Sequence, residues 1–183
     1  MLKGRTIPFS ARFFDKAEVT PQKVKGAVFS LLGEDLEGRT FLDLFAGSGQ
    51  MALEAASRGS SSVVTGERDR SRAQHISESA ENLDVCHILE VFPLDYRHLL
   101  RIMKREGRAF DVIFVDPPYE KVKGRAETLI RILEDLSSGD LLRDDGRILV
   151  QHFTSNILPG IIGKLARKES REYGSTSITI YGL

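Results

Sequence analysis

The sequence predicts an α/β protein whose mostly parallel sheet is covered by helices on both faces. Three observations carry this reading. From Thr40 onward, short apolar runs alternate with stretches of helical periodicity. The runs are brief and rich in β-branched residues, as strands buried on both faces are. The tail breaks the alternation, and two runs flanking Gly174 read as a closing antiparallel hairpin.

Each element follows from local pattern. The first twenty residues lack helical periodicity, and Phe9, Phe13 and Phe14 beside Arg5 and Arg12 suggest an extended or hairpin-like arm. A helix then begins, with Thr20 as N-cap, Pro21 in its first turn, and Val24, Ala27, Val28 and Leu31 as its apolar stripe. Gly33 is placed to end it. Strands are expected at Thr40–Phe45, Ser62–Glu67, His87–Phe92, Asp111–Asp116 and Arg147–His152. Helices are expected near Gln50–Arg58, Ser71–Leu83, Tyr96–Arg105 and Ala126–Leu136. Strand–helix–strand repetition of this kind calls for right-handed crossovers and parallel pairing. The hairpin strands are Leu165–Tyr173 and Ser177–Tyr181. Residues 1–33 read as an arm and helix on the substrate side, and 34–183 as the main domain.

With 183 residues, 41% of them apolar and 28% charged, the chain fits one soluble globular domain with a substantial core. Lys plus Arg and Asp plus Glu number 26 each, so any site for a polyanion must be a local patch. One such patch is the stretch 1–25, where Lys3, Arg5, Arg12, Lys16, Lys23 and Lys25 outnumber Asp15 and Glu18. Rings interleaved with these cations suit stacking beside phosphate contacts, although a solvated arm with core phenylalanines has the same composition. The arginines and lysine of 97–108 read as an ordinary solvent face. The single cysteine, Cys86, excludes an internal disulfide and suits a reducing compartment. No apolar leader or membrane-length run is present, so the cytoplasm is expected, with no membrane partner. The histidines and Cys86 show no metal-ligand spacing, and no metal is expected.

Two motifs carry chemistry. Phe41-Leu42-Asp43-Leu44-Phe45 runs into Ala46-Gly47-Ser48-Gly49-Gln50, a glycine turn between a strand and a helix. Such a turn lets backbone approach a ligand and points helix N–H groups at it. Glu67, twenty residues past Gly47, stands where an acid accepts hydrogen bonds from ribose hydroxyls. Asp43 at the strand end would repel a pyrophosphate but suits a cationic methionine moiety, which favours an adenosyl sulfonium over a dinucleotide. Asp95 is placed either to accept from an adenine amine or to cap the helix at Tyr96. The second motif, Asp116-Pro117-Pro118-Tyr119, closes a buried strand. Proline fixes φ and lacks an N–H, so nearby carbonyls turn outward. A carboxylate, such carbonyls and a ring make a clamp for a planar amine.

Taken together, FLDLFAGSGQMALEAASRG, GERD, DVIFVDPPY and YGSTSITIY resemble the class I S-adenosylmethionine-dependent methyltransferases. More narrowly, with Lys3-Gly4-Arg5 and the helix from Thr20 to Phe29, the chain resembles the RsmD-type 16S ribosomal RNA guanine-N2 methyltransferases of bacteria. That resemblance implies a Rossmann-like fold with a seven-stranded sheet, and S-adenosyl-L-methionine as cofactor. It implies cofactor contacts from Asp43, Ala46, Gly47, Ser48, Gly49, Glu67, Arg68, Asp95 and Asp116. Substrate contacts would come from Arg5, Arg12, Lys23, Pro118 and Tyr119, with Asp116, Pro117 and Tyr119 at the reacting amine. It implies in-line transfer, with Asp116 and the Pro117 carbonyl accepting the two amine hydrogens and Tyr119 stacking on a looped-out base. The expected partner is ribosomal RNA, within a small-subunit particle, and the expected state a monomer. Glu18-Val19 stands where members usually carry Arg-Pro, and Gly26 where a Glu is frequent; both departures fall on the substrate side.

Other readings share parts of this pattern. Adenine-N6 or cytosine-N4 methylation and protein-glutamine amide methylation also use planar amines. An NAD-linked oxidoreductase would use the glycine turn but has no use for Asp43 or Asp-Pro-Pro-Tyr.

Overall fold

Gly33, at φ 94°, stops the first helix where its side-chain-free backbone was expected to. The computed structural model describes residues 22–33, 35–118 and 126–183. The arm with Arg5 and Arg12, the Thr20 cap, Pro21 and Tyr119 lie outside the described residues, as does the side chain of Lys23. The chain divides into two compact units, 1–99 and 100–183.

The first unit holds α1 (Gln22–Leu32), β1 (Thr40–Asp43), α2 (Gln50–Ser57), β2 (Ser62–Gly66), α3 (Arg70–Asn82) and β3 (Leu89–Phe92), and ends in α4 (Tyr96–Arg105). Its strands lie in the order β3-β2-β1 and are parallel, with Phe41 opposite Val63 and Val63 opposite Leu89. Parallel pairing brings the carboxyl ends of all three to one edge, where ligands of open α/β sheets bind. Val28, Phe29, Phe41, Leu42, Leu53, Val63, Val64 and Ile76 form its core. Phe29 and Phe41 stack at 6.4 Å between centroids, and the Arg58 guanidinium lies over Phe29. Asp69 caps α3 by accepting from the Ser71 and Arg72 N–H groups.

The second unit takes over within α4 and adds β4 (Phe110–Val115), α5 (Glu127–Ser137), β5 (Leu142–Phe153), β6 (Ile161–Ile162), β7 (Leu165–Tyr173) and β8 (Thr176–Gly182). Leu129, Ile132, Leu133 and Leu136 make the buried stripe of α5. β4 and β5 run parallel, while β5–β8, β8–β7 and β7–β6 are antiparallel. The expected hairpin is present, with Gly174 at φ 67° in its turn.

Two strand starts and the number of strands stand apart from expectation. β5 begins at Leu142 rather than Arg147, because the partners step from Phe110–Leu142 to Val112–Arg147 and residues 143–146 bulge between. β3 begins at Leu89 rather than His87, since the Ile88 and Leu89 N–H groups both turn back onto the Val85 carbonyl. Among the described residues the strands number eight, where seven were expected. The extra one is β6, two isoleucines folded onto Leu165 and Ala166 around Gly163, too short to leave a periodicity.

Candidate active site

The glycine turn is built as a left-handed pair. Gly47 sits at φ 52° and Gly49 at φ 76°, where side chains are strained. A Cβ on Gly49 would also lie 2.7 Å from Ile76 Cγ1 of α3, so its bare backbone serves helix packing as well as the turn. Ala46 donates its N–H to the Gly66 carbonyl at 2.9 Å, tying the turn to the end of β2. Asp43, 1% exposed, accepts the Phe45 N–H at 3.1 Å and so holds the strand-to-turn bend. Gln50 opens α2 with its side chain buried, and its Oε1 has no hydrogen-bond partner among the described residues.

Glu67 braces this turn from the end of β2. One carboxylate oxygen accepts the Gly47 N–H at 3.0 Å and the other the Asp69 N–H at 2.9 Å. Burial raises its pKa above the usual carboxylate value; the two N–H groups and the Arg72 charge oppose this without cancelling it. Each oxygen keeps a second lone pair for a further donor. Arg68, next in sequence, is exposed.

Asp95 caps α4. Its Oδ1 accepts from the Arg97 and His98 N–H groups at 2.9 and 3.1 Å, and its Oδ2 meets His98 Nδ1 at 2.6 Å. Desolvation pushes its pKa up, but the bonds to His98 and Arg97 together outweigh it and leave the carboxyl below its ordinary value. Tyr96, beside it, packs its ring 5.4 Å from that of Phe45.

In the second unit, Asp116 directly follows Val115, the last residue of β4. The four residues before it are buried, Asp116 itself is half-buried, Pro117 is buried and Pro118 exposed. A carboxylate thus emerges from a dry strand onto the sheet's carboxyl edge. The end of β5 contributes polar residues that motif reading passed over: Gln151 and His152 are buried, as are Ser177 and Thr179 on β8. The only sign of them in the sequence is the pair Gln151-His152 interrupting Ile148-Leu149-Val150 and Phe153.

Comparison with known proteins places the chain. Residues 1–182 match the family model "Conserved hypothetical protein 95". It is 32% identical to "Putative rRNA methyltransferase YlbH" of Bacillus subtilis (strain 168), over 98% of this chain and 94% of that one. The chain belongs to this RsmD-type family. Another RsmD-type relative is "Ribosomal RNA small subunit methyltransferase D" of Escherichia coli (strain K12), 26% identical over 88% of this chain and 77% of its own. Among solved structures, "Putative methyltransferase yhhF from Escherichia coli" superposes with a TM-score of 0.75 at 25% identity, covering 96% of this chain and 89% of that one. The fold is therefore the Rossmann-like one of S-adenosylmethionine-dependent methyltransferases, mostly parallel with an antiparallel C-terminal hairpin.

The cofactor of this RsmD-type fold suits the residues present. The left-handed glycine pair exposes backbone, Glu67 keeps lone pairs for further donors, and the buried Gln50 carbonyl has no donor among the described residues. Asp43 is a buried carboxyl at the end of the strand that leads into the turn. Those are partners for an adenosine joined to a cationic amino acid.

Of the cations in the stretch 1–25, Lys25 is the one whose side chain the structure describes. Lys25 Nζ lies 3.1 Å from Glu54 of α2, which also holds Arg58 Nε at 2.9 Å, so Lys25 pins α1 rather than awaiting phosphate. On the α4 side, Lys104 Nζ donates to the Asp135 carbonyl and Ser138 Oγ, as a solvent-face lysine does. Among the described residues, no group of three or more His, Cys, Asp or Glu is placed to hold a metal, and no helix is long and apolar enough to cross a membrane.

Proposed function

We propose that this chain transfers a methyl group from S-adenosylmethionine to the exocyclic N2 amine of a guanine in 16S ribosomal RNA, acting in the cytoplasm as a monomer on a small-subunit particle. The observation that carries the reading is the Asp116-Pro117-Pro118 strand end, a half-buried carboxyl beside a proline on the carboxyl edge of a buried strand. Family membership and the names of the relatives support the ribosomal RNA substrate.

The bound cofactor supplies an electrophilic methyl on a sulfonium. Asp43, Ala46, Gly47, Ser48, Gly49, Glu67, Arg68 and Asp95 hold it, with Glu67 on the ribose side. Asp116 accepts one N–H of the guanine amine and the Pro117 carbonyl the other. An aromatic amine is a poor nucleophile because its lone pair is delocalised into the ring. Two acceptors pull the nitrogen toward tetrahedral geometry and stabilise the positive charge that develops on it. The N–H becomes strongly acidic only as the new N–C bond forms, so no strong base is needed. Tyr119 stacks on the base, which leaves its helix to reach the pocket. Residues 1–33 form the substrate-side extension, in which Arg5, Arg12 and Lys23 meet phosphates.

The test is to incubate the protein with labelled S-adenosylmethionine and unmodified small ribosomal subunits, then map the labelled base. Label on N2 of one guanine is expected. Label on an adenine, a cytosine or a ribosomal protein overturns the proposal.

A further inference from the structure

We infer that Gln151 selects guanine, its side-chain carbonyl taking the ring N1–H that lies beside the N2 amine. The inference rests on the proposed guanine-N2 reading and adds the group that tells guanine from the other amino-bearing bases.

Gln151 lies near the carboxyl end of β5, 5% exposed, and its Oε1 is buried with no hydrogen-bond partner among the described residues. Leaving a buried amide carbonyl unpaired is unfavourable, and such groups in folded proteins call for an explanation. Its polar neighbours satisfy one another: His152 Nε2 meets Thr179 Oγ1 at 2.7 Å, and Ser177 Oγ donates to Thr154 Oγ1 at 3.1 Å. Gln151 stands apart from that network.

Its position relative to Asp116 gives the orphan acceptor a purpose. Val115 of β4 and Val150 of β5 are parallel partners. One residue further along each chain come Asp116 and Gln151, on strands spaced about 4.8 Å apart. A base whose amine is held at Asp116 therefore presents the atom next to that amine to Gln151. In guanine that atom is N1, which carries a hydrogen. In adenine it is N1 and in cytosine N3, both bearing lone pairs. Two neighbouring acceptors match two neighbouring donors, and only guanine offers that pair. Against adenine or cytosine the Gln151 carbonyl meets a second lone pair and stays unpaired, the situation in which polar sites discriminate most strongly.

An amide can turn to present its N–H2 instead, so the decisive variant is Gln151→Glu, which keeps a side-chain oxygen acceptor at the same reach and has no N–H2 to turn inward. The experiment measures single-turnover methylation of unmodified small subunits by wild type, Q151M and Q151E, with S-adenosylhomocysteine affinity followed by calorimetry. Q151M is expected to slow methylation roughly 10- to 100-fold, with cofactor affinity unchanged. Q151E is expected to stay within about threefold of wild type. Replacing the mapped guanine by 2-aminopurine, which keeps the amine but lacks N1–H, should slow wild type as Q151M does and slow Q151M no further. A wild-type rate in Q151M, equal loss in Q151E and Q151M, or full wild-type activity on 2-aminopurine overturns the inference. If Q151M does not fold, the response of wild type and Q151E to 2-aminopurine decides alone. Label found on a base other than guanine with the wild-type protein instead overturns the underlying function.

Discussion

The Glu67 carboxylate accepts the Gly47 amide hydrogen at 3.0 Å, so the acid at the end of β2 holds the glycine turn that follows β1. Its other oxygen fixes Asp69, the cap of α3, so one side chain ties the turn to a helix start. Glu67→Ala removes both acceptors and with them the carboxylate proposed to meet the ribose. We expect it to weaken S-adenosylhomocysteine binding roughly 10- to 100-fold, the loss of one to two charge-assisted hydrogen bonds. Isothermal calorimetry checks this, and unchanged affinity would rule out the role.

The raised pKa of Glu67 adds a pH signature. Because burial favours its neutral form, protonation sets in above the usual carboxylate range as pH falls. Cofactor affinity should then begin to drop at a higher pH than an ordinary glutamate would give. For folding the sign is opposite: a carboxyl with raised folded pKa contributes stability that is lost as pH rises through that window. The measurement is calorimetric affinity between pH 7.5 and 5, with the drop absent from Glu67→Ala.

Gly49 answers to two constraints at once, its φ of 76° and the 2.7 Å that would separate an added Cβ from Ile76. Gly49→Ala should destabilise the protein by about 1–3 kcal/mol, combining left-handed strain with overpacking. In an Ile76→Ala background, which removes Cγ1, Cγ2 and Cδ1, Gly49→Ala should cost less but not nothing, because the left-handed φ remains. Urea unfolding of wild type, the two single variants and the double variant checks this, and a neutral Gly49→Ala contradicts it.

How far the sequence carries depends on whether a feature is local. α4 is bounded as its periodicity foretold, and Asp43, Gly47, Gly49 and Asp116 stand at the strand ends where motif spacing put them. Arg143, Asp144, Asp145 and Gly146 have no strand-like pattern, yet they bulge within a strand that begins at Leu142. The Glu67–Gly47 and Lys25–Glu54 contacts join residues far apart in sequence, and no local pattern encodes them. Asp95 was legible only as two alternatives, and its contacts with Arg97 and His98 are those of a cap. Gln151 was hidden because one polar residue in an apolar run looks like a strand edge until its burial is known.

His152 gives the second unit its own pH dependence. The Phe153 carbonyl only accepts, so His152 Nδ1 at 2.8 Å carries the hydrogen, and neutral Nε2 accepts from the Thr179 hydroxyl. Ser170 Oγ then donates to Thr179 Oγ1 at 2.9 Å. Burial lowers the His152 pKa, the bond to Phe153 only partly offsetting it. A histidine with depressed folded pKa contributes stability present above about pH 6.5 and lost as pH falls below it. The loss is at most about 1.4 kcal/mol per pH unit. His152→Gln should flatten the slope of unfolding free energy between pH 7.5 and 5.5; an unaltered slope would assign the dependence elsewhere.

Asp116 separates chemistry from binding most sharply. It follows a strand with no exposed residue and precedes a buried proline, Pro117, so its backbone is anchored in the core. In the proposed reaction it meets positive charge that develops only as the methyl transfers, so its contribution falls on the transition state and not on cofactor binding. Asp116→Ala should lower turnover at least ~100-fold while leaving S-adenosylhomocysteine affinity within a factor of about three. Asp116→Asn keeps an acceptor but loses the charge, and should fall between the two. Single-turnover methylation of small subunits together with calorimetry resolves the cases. Near-wild-type turnover in Asp116→Ala would remove the carboxylate from the reacting centre, and a parallel loss of cofactor affinity would recast it as a binding residue.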